Sequence, residues 1–203
     1  MDLAAARDTL AANADAIAAL VRPVAGDAAR WRPSADAWSI LEVVCHLADE
    51  ERDDFRTRVS LTLEDPMLPW PPIDPQAWVT TRAYAARDLA AALADFMAER
   101  QRSLSWLAGL ADPRWDNAAR HPSGFTIRAG DLMASWLAHD LLHVRQIVEL
   151  LYGALADGVD PAASADAGAD SGTGVRADDA PGAPKGAAAD GDGRWDVRYA
   201  GEW

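Results

Sequence analysis

The sequence predicts an all-α protein, a four-helix bundle, and three observations carry that prediction. Four segments within residues 1–153 repeat their apolar side chains at helical spacing. No segment there alternates with period two for long enough to demand a sheet. A proline-rich stretch between the second and third helical segments supplies a long crossover, as some bundles require.

The first helix is marked by Leu3, Leu10, Ile17 and Val24, one every seven residues, with Ala6, Ala14, Leu20 and Val21 filling the neighbouring positions. After the connection RWRPSADAW, Ser39 and Glu42 stand three residues apart as a capping box, opening a second helix that reaches about Leu63. The segment EDPMLPWPPIDP has five prolines in twelve residues and cannot continue a helix, so it reads as a stiff crossover loop. Leu89, Leu93, Phe96, Met97, Leu104 and Leu107 mark a third helix from about Tyr84 to Leu110. Thr126 is the expected cap of a fourth, running through Leu132, Trp136, His139, His143, Ile147 and Leu150 to about Tyr152.

Past residue 153 the composition shifts to Ala, Asp, Gly and Pro, which cannot bury enough apolar surface to offset the entropy of ordering the chain. Residues 154–194 are therefore expected to be a disordered linker. The closing WDVRYAGEW, residues 195–203, restores two tryptophans and a tyrosine. A tether of this length spans roughly 35 Å root-mean-square, so the tail can return and dock on the bundle.

Charge and cysteine content exclude several classes of function. A net charge of -13 repels phosphate backbones and anionic lipid surfaces, which argues against nucleic-acid and membrane partners. The single cysteine, Cys45, leaves no internal disulfide and no dithiol chemistry. No signal-like apolar run opens the chain, so a cytoplasmic protein acting on a small molecule is expected. A leftover apolar helix face could still serve as a homodimer seam.

Two of only four histidines, His139 and His143, lie in WLAHDLLHVRQI. They sit about 40° apart on the wheel, within the inward stripe. Buried neutral imidazoles need partners for both nitrogens, so this pair is either part of a polar core network or one half of a metal clamp. His46, in WSILEVVCHLADEE on the second helix, can add a third nitrogen from across the bundle, leaving a position open for water or substrate. Three imidazoles suit a catalytic first-row cation and accept zinc, nickel, cobalt or ferrous iron alike.

Other residues are weighed beside these. Glu50, one turn from His46, is expected to be a solvated carboxylate of the acidic run ADEERDD; its functional alternatives are to orient a histidine, act as a base or add a ligand. Asp140 is expected to pack or hydrogen-bond rather than ligate, and Gln146 could orient an imidazole. Trp38 and Trp136 are candidate walls of an apolar substrate pocket. His121, before a proline, is expected to be exposed, and Cys45 points about 100° away from His46, which disfavours a protein thiol nucleophile.

WSILEVVCHLADEE, HDLLHVRQI and the closing YAGEW together resemble the DinB/YfiT-like family, over roughly residues 1–153 plus the tail. The resemblance implies an up-down-down-up bundle holding a divalent metal on His46, His139 and His143. It also implies small-thiol transfer or mycothiol-dependent isomerisation, with a low-molecular-weight thiol as co-substrate. The Ala/Asp/Gly insertion departs from the family's compact ending. With the resemblance beside the residues, two readings stand: a metal-dependent transferase or hydrolase, and a non-catalytic, metal-stabilised bundle that serves interactions or a stress response.

Overall fold

The computed structural model describes residues 1–163; the remainder of the expected linker and the aromatic tail lie outside the described residues. Helix α1, Leu3–Val21, starts at Asp2, whose carboxylate accepts the amides of Ala4 and Ala5 at 3.0 and 3.1 Å. Helix α2, Ile40–Asp49, begins with the expected capping box, both halves formed between Ser39 and Glu42. It passes unbroken through a π-helical segment, Glu50–Phe55, into α3, Arg56–Glu64, and the three together make the second bundle helix.

The crossover is more structured than its prolines suggest. Pro75 takes the first position of a short helix, α4, Pro75–Thr81, where its missing amide costs nothing, and Asp74 caps it through the Ala77 amide. Helix α5, Leu89–Ala108, is capped by Asp88, so it begins five residues after the expected Tyr84, which belongs to a separate turn. Two short strands, β1 Ala118–Arg120 and β2 Thr126–Arg128, pair antiparallel with Ala119 opposite Ile127. Thr126 is therefore a strand residue, not a helix cap. Helix α6, Ala129–Ala156, follows from Arg128 and outlasts the expected end at Tyr152 by four residues.

The first and second bundle helices are diagonal, as are α5 and α6: α1 packs on α5 and α6, and α2 packs on the same two. Asn13 bonds the Leu137 carbonyl and Ala25 bonds that of Pro161, so α1 and α6 run in parallel. Tyr84 meets Asp49, Arg100 meets Glu51 and Arg56 meets Ser103, which makes the second helix parallel to α5. His46 against His139 and Phe55 against Trp136 make it antiparallel to α6. The order is up-down-down-up, and the parallel middle pair is why a long crossover is needed.

Two apolar clusters fill the bundle. One gathers Ile17, Val21, Ile40, Val44, Phe96 and Ile147; the other gathers Leu10, Phe55, Val59, Leu107, Leu132 and Trp136. Between them lies a buried polar layer containing the histidines. Among the described residues, no helix is long and apolar enough to cross a membrane.

Candidate metal centre

Helices α2 and α6 bring His46, His139 and His143 together, each at most 4% exposed. Their ε nitrogens converge: His46 Nε2 lies 3.3 Å from His139 Nε2, which lies 3.1 Å from His143 Nε2. One ligand atom from each residue falls within 4.8 Å of the other two. Two nitrogens held about 2.1 Å from a single ion, at octahedral to tetrahedral angles, are about 3.0–3.4 Å apart, so the spacing fits a shared cation.

Protonation agrees with that geometry. Burial, reinforced by neighbouring histidines, holds His46 and His139 well below the ordinary imidazole range. Burial takes His143 down to about 4, with Gln146 and Asp140 pulling weakly the other way. All three are neutral at pH 7. A neutral imidazole carries one proton, and His143 places its own on Nδ1, 2.8 Å from Gln146 Oε1. Its Nε2 lone pair is thereby turned toward the other two rings, as a metal ligand requires.

Glu50 is not the solvated carboxylate its acidic neighbourhood suggests. It is 1% exposed, with Oε1 4.0 Å from His46 Nδ1 and its carboxyl hydrogen-bonded to that of Asp54. Burial and the adjacent Asp54 carboxyl push its pKa up. Asp54 is itself raised to about 6 by burial, against the opposing pull of Arg58.

Beside the triad, Arg100 of α5 bonds Glu51, Asp140 and the Leu10 carbonyl, each at 2.7 to 2.8 Å. Trp136 Nε1 donates to Glu51 and Asn13 donates to Asp140. Asp140 thus hydrogen-bonds away from the centre, as its wheel position implies.

His46 and His143 open onto a cleft of about 690 Å³, walled by Trp31, Trp38, Gln76, Gln146 and Leu150. His139 sits behind them, its ring 5.0 Å from that of Phe55, so the exposed side of the triad faces the cleft. The Trp38 ring lies 4.9 Å from that of His46, in the expected wall position. Trp136 does not wall the cleft: it stacks on Phe55 in the lower core, because a position one turn before His139 lies beneath the histidine layer. Cys45 is buried away from the cleft, and burial pushes its thiol up to about 11.

Three features escape the sequence reading. Trp31 walls the cleft by packing on Gly153 and bonding Asp157 at 3.2 Å, and a Cβ at residue 153 would lie 2.3 Å from its indole. Glycine within an apolar helix was the available signal. Gln76 arrives on α4, which only its Asp-Pro start announces. His121, expected to be exposed, is 5% exposed, stacked on Phe125 and edge-on to Trp70, because the β-hairpin folds it inward.

The chain matches a family model described as the DinB superfamily over residues 9–147. Among solved structures it is similar to YfiT from Bacillus subtilis, described as a probable metal-dependent hydrolase with an unusual four-helix bundle topology. That match has a TM-score of 0.65 and 22% sequence identity, and covers 74% of this chain and 86% of the other. Among curated proteins none matches. Because the family model spans well over half of the sequence, including all three histidines, this chain belongs to the DinB superfamily.

Proposed function

We propose that this chain is a divalent-metal enzyme, a hydrolase or small-thiol transferase, whose nucleophile is an external water or thiol. The observation that carries the reading is the convergence of three neutral imidazole nitrogens at the floor of a tryptophan-walled cleft. Nitrogen donors of this kind suit zinc or nickel, and a bound cation supplies Lewis acidity that makes a water or thiol nucleophilic at neutral pH.

The chain's own residues do the rest. His46, His139 and His143 hold the cation; Gln146 fixes the His143 ring through Nδ1. Glu50 is placed to accept the His46 Nδ1 proton, after a small side-chain rotation or through one water. Trp31 and Trp38 exclude water from the apolar side of the cleft and give a small electrophilic substrate a surface to lie on. With Cys45 buried elsewhere, no protein thiol reaches the cleft.

Elemental analysis of protein purified without an affinity tag tests this. Near-stoichiometric metal is expected in the wild type. In the His139→Ala/His143→Ala variant affinity should fall by more than about 100-fold, with the helical circular dichroism kept. A wild type that takes up neither zinc nor nickel would remove the basis of the reading. If metal binds but chelation changes only thermal stability, with no turnover of ester, amide or thiol-acceptor substrates, the site is structural.

A further inference from the structure

One flank of α6 carries Leu137, Leu141, Val144, Val148, Leu151 and Leu155, spaced 4-3-4-3-4. This is the a/d pattern of a coiled-coil seam, and it lies about 140° around the helix from the histidine face. No described element covers it. Leu141, Val148 and Leu155 are 56%, 48% and 59% exposed, and Tyr152 beside them is 74% exposed. Leu137, Val144 and Leu151 are half-buried at the bundle's edge. Half of the large exposed hydrophobic residues in the described chain fall on this one helix face, a concentration rather than the usual scatter.

The stripe is a palindrome. Read from either end it is Leu, Leu, Val, Val, Leu, Leu at the same spacing, centred on residue 146. A two-fold axis there sets Leu137 opposite Leu155, Leu141 opposite Leu151 and Val144 opposite Val148, each an a residue meeting a d residue of an antiparallel copy.

A pair of rim charges is centred one residue from that axis. Arg145 and Glu149 form an exposed pair 3.7 Å apart on one rim of the stripe. The two-fold sets Arg145 of each copy two residues in register from Glu149 of the other, about 3 Å along the helix and within reach of the long arginine side chain. The four exposed apolar side chains present on the order of 400 Å² per copy, at the size that marks an interaction surface. With the rim charges and the half-buried residues, along about 28 Å of helix, the footprint approaches the roughly 800 Å² per partner of a stable interface.

We propose that a second copy of this chain covers the stripe, forming an antiparallel homodimer through α6 with its axis near residue 146. Glu149 also lines the cleft, so Arg145 of the second copy reaches the rim of the candidate site.

Sedimentation equilibrium of the full chain tests the dimer. The wild type is expected to be dimeric at about 10 µM, and Val148→Glu to raise the dissociation constant by about 100-fold with helicity unchanged. Arg145→Glu should weaken the dimer by about tenfold, and Arg145→Glu/Glu149→Arg should restore it. If Val148→Glu loses helicity, the charge-reversal pair alone decides. A wild type monomeric up to about 100 µM overturns the proposal, as it would if residues 164–203 covered the stripe instead. A dimer indifferent to both Val148→Glu and Arg145→Glu overturns it too.

Discussion

Glu50 and the histidines share one buried layer yet respond to pH in opposite directions. The folded pKa of each histidine is depressed, so between about pH 6.5 and 4 the unfolded chain binds protons that the metal-free fold does not. Stability therefore falls as pH drops through that window. Denaturant titrations of metal-free protein should show this loss, with a clearly shallower slope in His139→Ala/His143→Ala. The Glu50 pKa is raised in the fold, so its contribution is present at low pH and lost as pH rises through the folded value. Glu50→Gln, which cannot ionise, should then raise the melting temperature of the metal-free protein at pH 7. It should also weaken metal binding by about 10- to 100-fold, because the amide is a poorer acceptor for His46 Nδ1–H. Calorimetric metal titration and thermal melts read the two effects separately; affinity unchanged by Glu50→Gln would mean that Glu50 does not orient His46. The three histidines were legible in the sequence because helical spacing alone sets their direction. The burial of Glu50 was not, since its charged neighbours ADEERDD point outward by composition and only tertiary packing decides otherwise.

At the level of elements, the long amphipathic segments were readable and the connections were not. Capping at Ser39 follows from local chemistry, and substituting it shows how much: Ser39→Ala should cost about 1 kcal/mol in denaturant unfolding. The π-helical segment, the hairpin and α4 each depend on what surrounds them. Three-residue strands are too short to leave a period-two signature, and a π segment differs from an α-helix in backbone phase rather than in composition. Gly153 shows how a connection shapes the site. It admits the Trp31 indole from the loop before α2, so Gly153→Ala should displace that ring from the cleft wall. Destabilisation of about 1–3 kcal/mol is expected despite the better helix propensity of alanine. A denaturant midpoint raised by Gly153→Ala would show that Trp31 is not held there.

On the scale of the whole molecule, Arg100 is the point where the bundle is joined. It reaches the α1 backbone at Leu10, Glu51 in the second helix and Asp140 in α6, while standing on α5. Burial works against its charge, but Asp140 and Glu51 outweigh that and raise its pKa. Arg100→Ala would leave two buried carboxylates without their counter-charge, and a loss of about 3–5 kcal/mol is expected from chemical denaturation. A loss below about 1 kcal/mol would mean that the carboxylates find other partners. The diagonal placement of the first two bundle helices has a further consequence, for synthesis on the ribosome. Helices α1 and α2 emerge first but are not packing neighbours, so they cannot settle as a hairpin, and their apolar faces wait for α5 and α6. His46 is made more than ninety residues before its nearest histidine partner. The nascent chain therefore passes through most of its translation as an unclosed half-bundle, and His46 meets His139 and His143 only once α6 has been made.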